Sequence, residues 1–199
     1  MRQVLNKGPF AKYLMKVTGE KNSIWAVLGT DMPDPRLRDV ELLLRLFSWN
    51  EFSKDYVGNM KPFLDNTMRK LNASWDAMHT RIENLTMDLF EAVDTLVKVL
   101  GECAGRKFKN GRYESHITRA LFELEAFYLR DASVRKAALA KKKALKAGIE
   151  QLCETDLDFL ASIESTTKSI ENYRVRFSRY RSMAEGILGQ QLRPLALHR

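Results

Sequence analysis

Little in this sequence interrupts a helix. Ten glycines and five prolines are spread over 199 residues, so turns are few and elements are long. Cysteine is nearly absent. Cys103 and Cys153 stand far apart in no metal-ligand spacing, which argues against a disulfide framework and predicts two reduced thiols. The three histidines, His79, His116 and His198, form no four-residue pair and no Cys/His cluster. Neither a zinc site nor an HNH-type nuclease centre is expected. No apolar run approaches the ~18–20 residues of a membrane span. The N-terminal MRQVLNKGPF lacks the apolar core of a signal peptide. A cytoplasmic protein with no membrane contact is the expectation. The stretch Gly101-Glu102-Cys103-Ala104-Gly105 lacks the Lys-Ser/Thr of a phosphate loop. Glu123 and Glu125 are two apart, so a helix turns them to different faces. No catalytic residue, metal ligand or cofactor is therefore expected in the chain itself.

What remains is helical. Leu, Ala, Lys, Arg and Glu dominate, and alternating β-branched runs are scarce. Arg2 to Asn6 reads as the tail of a helix, and Gly8-Pro9 then opens a new one with Phe10, Tyr13, Leu14 and Val17 inward. Asn22 to Pro35 is a connector. Arg36 to Asn50 is apolar nearly all round, which predicts deep burial, and Glu41 and Arg45 are spaced for an ion pair. Met60 to Leu71 is a shorter helix. Asn72 to Leu100 is the longest element, with Trp75, Met78, Ile82, Leu85, Leu89, Val93, Leu96 and Leu100 at three-four spacing. That seam admits a coiled-coil homodimer, but Met87, Phe90, Val97 and Val99 lie off it and favour the core of a bundle. Gly101 to Glu114 reads as a basic loop, Ser115 to Arg130 and Val134 to Leu152 as helices. Thr155 is a candidate N-cap with Asp158 at N3, and Thr167 to Leu188 closes the fold before Gly189 and Pro194. The expected class is all-α, an irregular multi-helix bundle around one long central helix at about 72–100. Residues 1–189 form one domain, and residues 190–199 fray.

The charge is unevenly placed. Between Gly101 and Ile149 stand twelve Lys or Arg against five Asp or Glu, so this segment holds most of the net +8. A local basic patch is a sharper signal for nucleic acid than a high isoelectric point. Arg135, Lys136, Lys142, Lys143 and Lys146 share one broad arc of the expected 134–152 helix and could follow phosphates; a solvated helix face is the plainer reading. Arg106, Lys107, Lys109 and Arg112 interleave with Phe108 and Tyr113, offering charge and stacking, or a surface loop anchored by Phe108. In the last helix, Arg174, Arg176, Arg179 and Arg181 fall on different flanks, which favours rim ion pairs over a nucleic-acid stripe.

The order of segments carries a resemblance. RQVLNKGPF, DVELLLRLFSW, KPFLDNTM, ITRALFELEAF and DFLASIESTTKSIENYRVRF follow one another from residue 2 to residue 177. Over about residues 1–188 the chain resembles the helical C-terminal half of the family catalogued as domain of unknown function 262, the GmrSD-type restriction family of bacterial antiphage proteins. The family joins this helical region to a ParB-like region with an Asp-Gly-Gln-Gln-Arg-type motif for nucleotide chemistry, and members often add an HNH nuclease domain. Arg2 matches the arginine before the family's Gly-Pro-Phe turn, and the sequence before it is missing here. The resemblance therefore implies scaffold rather than catalysis. Arg45, Phe63, Leu64 and Phe122 are its architectural or partner-facing positions, and the expected partner is a ParB-like catalytic polypeptide from a neighbouring gene. A stand-alone DNA- or RNA-binding protein using segment 101–149 is the alternative.

Overall fold

A computed structural model describes residues 7–164 and 169–197. The expected Arg2–Asn6 helix tail, the candidate Arg2 and the expected helix start at Thr167 lie outside them. In chain order the described elements are α1 (Pro9–Gly19), α2 (Ser23–Leu28), α3 (Arg38–Phe52), α4 (Met60–Ala73), α5 (Trp75–Leu100), β1 (Arg106–Lys109), β2 (Arg112–Ile117), α6 (Arg119–Leu129), α7 (Ala132–Ala140), α8 (Lys142–Thr155), α9 (Leu157–Glu164) and α10 (Ile170–Leu188). The all-α class built around one long helix is what composition and periodicity predict.

The seam of α5 is used inside the chain. Ile82, Leu85, Leu89, Val93, Leu96 and Leu100 are buried, and α5 packs on α2, α6, α7 and α8. Burying this stripe internally supplies the bundle-core role rather than a coiled-coil dimer seam. Met87, read as further core surface, is instead 64% exposed. The helix begins later than expected because α4 continues through Asn72 to Ala73. There the Asn72 side chain accepts the N–H groups of Phe10 (3.0 Å) and Ala11 (3.3 Å). A side chain 62 and 61 positions away from them thus satisfies two orphan donors at the start of α1.

Several expected boundaries move for identifiable reasons. The 22–35 connector contains α2, whose first turn is capped by Asn22, its side chain accepting from Ile24 N–H at 3.0 Å. The basic loop is a hairpin: β1 and β2 pair antiparallel around Asn110-Gly111. Both turn residues have positive φ, 52° and 74°, the conformation of the two-residue turn that matches strand twist. The single helix expected over 134–152 is broken at Lys141, where α7 ends and α8 begins. Asp156, not Thr155, opens α9, its carboxylate accepting from Phe159 N–H at 2.9 Å. The segment expected to fray is packed as far as Leu197: Leu192 is buried, and the Arg193 guanidinium lies 3.8 Å from the centre of the Phe127 ring.

Helices α8 and α10 cross closely at Gly148. A Cβ there would lie 2.3 Å from Ile187 Cδ1 and 3.0 Å from Met183 Sδ. Gly148→Val is therefore expected to destabilise by about 1–3 kcal/mol through overpacking. Urea denaturation measures it; a midpoint equal to the parent's would show that this crossing has slack.

Candidate functional site

Two regions concentrate the charged chemistry. The first is buried under α3. Because α3 is apolar nearly all round, Arg45 is carried into the core, where only 7% of it is exposed. Its Nε donates to Glu41 Oε1 at 2.9 Å, and a second guanidinium nitrogen donates to Glu123 Oε1. The other Glu123 oxygen accepts from the Trp49 indole N–H at 2.9 Å. Arg119 reaches Glu41 from outside at 3.5 Å. Burial alone would lower the Arg45 pKa, but Glu123 and Glu41 outweigh it and hold the group charged above its ordinary range.

Aromatic rings enclose this network. The Trp49 ring centre lies 4.5 Å from that of Tyr173 and 5.0 Å from those of Tyr56 and Phe63. Burial pushes the Tyr56 phenol up to about 12 and Tyr173 further in the same direction. Phe63, Leu64 and Phe122 are buried core residues. Arg45 and Phe63 thus converge on one buried site, and Arg45 is held there by Glu123, seventy-eight positions along the chain.

A second buried acid stands on another face of α6. Glu125 is fully enclosed; one oxygen accepts from Gly105 N–H at 2.9 Å, and Oε1 has no hydrogen-bond partner among the described residues. Burial lifts its pKa to about 8, against a smaller lowering by the Gly105 N–H. This carboxyl ties the root of the hairpin to the core.

The second region is the basic segment, and much of its charge is engaged by partners within the fold. Lys107 is buried and pairs with Glu114 at 2.8 Å and with Glu164. Lys109 meets the same Glu164 at 3.0 Å. Arg106 donates to the Ser115 carbonyl. Phe108 and Tyr113 pack edge to face at 4.9 Å, and the Tyr113 hydroxyl donates to Glu150 at 3.0 Å. The turn itself is fastened by Gly111 N–H to Glu154 at 2.7 Å. Arg135 donates to the Leu129 and Arg130 carbonyls at the end of α6 and pairs with Glu91. Of the sequence-derived candidates, Lys107, Lys109 and Arg135 thus hold the fold together, and the expected stacking rings face each other.

What stays outward is a smaller patch at the α7–α8 corner. Lys136, Lys142 and Lys143 are exposed and make no ion pair among the described residues. Lys146 lies 5.4 Å from the centre of the Tyr113 ring. Lys141 donates to the Ile187 and Leu188 carbonyls at 2.8 and 3.3 Å, capping α10. Arg112 is exposed on the hairpin. On α10, Arg174, Arg179 and Arg181 form rim pairs with Glu171, Asp156 and Asp158, and Glu185, as their spacing suggests. Arg176 instead is fully buried.

Both cysteines are free thiols. Among the described residues no group of three or more His, Cys, Asp or Glu is placed to hold a metal ion, and no helix is long and apolar enough to cross a membrane. No protein-family model, curated protein or solved structure matches the chain.

Proposed function

We propose that the chain is a non-catalytic helical module of a bacterial restriction-like defence system. It works in the cytoplasm beside a ParB-like, nucleotide-dependent polypeptide and holds nucleic acid at the α7–α8 corner. The ordered GmrSD-like segments support the first part of this reading. The observation that carries the second is that Lys142 and Lys143 project from the corner with no carboxylate partner among the described residues. Ammonium groups left exposed and unpaired are available to phosphates, whose neutralisation releases counterions.

The corner presents charge without stacking rings, so backbone contact with little base preference is expected. Replacing Lys142, Lys143 and Lys146 by Glu should weaken duplex binding at least tenfold. It should also reduce the salt slope of the affinity by about 3, one per phosphate contact. Fluorescence anisotropy with a short duplex at low and moderate salt measures both. Unchanged binding in the triple variant would remove this surface from the proposal. The partner is tested by co-expression with the product of the adjacent gene; failure to co-purify with a ParB-like product would remove that part.

A further inference from the structure

One stripe of α10 is left partly open by the chain's own tail. Arg174, Phe177, Ser178 and Arg181 stand at i, i+3, i+4 and i+7, the spacing of a single helical face. Arg176, between them in sequence, turns inward instead and lies 4.1 Å from the centre of the Tyr173 ring. Gly189, in the left-handed conformation, ends the helix, and the chain turns back. Leu192 N–H donates to Glu185 Oε1 at 2.9 Å. The Arg193 guanidinium rests on the Phe127 ring and donates to the Phe127 carbonyl at 2.7 Å. These ties set Pro194, Leu195 and Leu197 across from the α10 stripe, and a groove of about 300 Å³ lies between the two walls. That is the lower end of the size range for small-molecule sites.

The groove has two kinds of lining. Tyr128 and Phe177 form an aromatic floor, each almost fully buried, and the tail leucines supply an apolar wall. Arg174 and Arg181 bring two positive charges, about 10 Å apart along the helix axis. Among the described residues, none of the lining side chains is acidic. Arg181 meets Glu185 only at 3.7 Å and through Nε, and that carboxylate oxygen already accepts from Leu192 N–H. The terminal nitrogens of Arg181 make no hydrogen bond among the described residues, and its side chain is 34% exposed. Arg174 pairs with Glu171 at 3.5 Å and adds its charge to the field of the groove.

We infer that this groove is a binding site for a small amphipathic organic acid. The acidic head lies on the Arg181 guanidinium, whose planar fork matches two acidic oxygens. The apolar body, one or two rings in size, fills the space between the tail leucines and the aromatic floor. A bare inorganic anion would use the charge and leave the apolar wall in water. A neutral apolar molecule would cover the wall and leave the guanidinium without an acceptor. Only a ligand with both parts satisfies both linings. The site is built from α6, α10 and the tail, so it is separate from the lysine corner of α7 and α8.

The test uses the full chain and anilinonaphthalene sulfonate, a fluorescent two-ring acid. Its emission should rise and saturate at one molecule per chain. Naphthoate should displace it, and naphthalene methanol, with the same body and no charge, should not. Arg181→Gln should raise Kd at least tenfold, the loss of one charge-assisted hydrogen bond. Leu195→Glu should weaken binding similarly, by removing apolar wall and repelling the head. The variant with Lys142, Lys143 and Lys146 replaced by Glu should bind as the parent does, which separates the groove from general attraction to a basic surface. Failure to saturate, or equal displacement by the alcohol, overturns the inference on the parent chain alone, whether or not the variants fold. So does an unchanged Kd in folded Arg181→Gln, or loss of binding in the lysine variant.

Discussion

Glu123→Ala is expected to destabilise the fold by about 3–5 kcal/mol, the range for removing one partner of a buried ion pair. Two groups lose their acceptor at once: the Arg45 guanidinium, left with Glu41 alone, and the Trp49 indole N–H. Neither can reach water, because Arg45 is 7% exposed and Trp49 1%. Glu123→Gln should be milder, since an amide oxygen can still accept from the indole. The decisive measurement is a double-mutant cycle by urea denaturation. Arg45→Met combined with Glu123→Met should cost clearly less than the sum of the singles, because the pair leaves no uncompensated charge behind. Additive costs would mean that Arg45 and Glu123 are packed side by side without being coupled.

Glu125→Gln is the second large effect, and it depends on pH. The ordinary pKa of the group is 4.5, and the folded chain raises it to about 8 by burial. Between these values the folded chain keeps a proton that the unfolded chain has released, so stability falls as pH rises through this window. Above about pH 8 both states are ionised and the loss levels off. The full span corresponds to a penalty on the order of 5 kcal/mol. Glutamine preserves the acceptor for Gly105 N–H and cannot ionise. The variant should therefore match the parent near pH 5, exceed it increasingly towards pH 8, and show a flat profile between. Denaturation midpoints at four pH values suffice. The parallel decline of both proteins would place the titrating group elsewhere. Asp34, Asp131 and Glu164 act in the opposite direction: their partners hold them below the usual range. The stability they add is lost only in acid, as pH falls through their lowered values.

The helices were legible because their information is local. Three-four spacing marks α5 and α10, and the all-round apolar character of α3 announces that Arg45 must go inside. The Glu41 partner of Arg45 could be read from its spacing, whereas Glu123 could not. The hairpin carries a local signal of its own. Asn110-Gly111 is the dipeptide that favours a two-residue turn, but the surrounding lysines and arginines suggested a loop. The break at Lys141 has no such signal, since an Ala- and Lys-rich stretch propagates a helix well. It arises because α7 packs on α5 and α6 while α8 turns to meet β1 and α10, with Lys141 capping α10 at the bend.

By itself the sequence determined that the protein is a bundle of helices around one long axis, because hydrophobic period and the scarcity of turn residues act within a few positions. Which charges remain available for binding was decided only by the tertiary structure. Lys107, Lys109 and Arg135 look like Lys142 and Lys143 along the chain. The first three differ because Glu114, Glu164 and Glu91 are brought to them from other elements. Arg176 is distinguished from its neighbours in the same way, by the aromatic walls that close over it. A charge is defined by its partners, and the partners of these residues are supplied by packing across the fold.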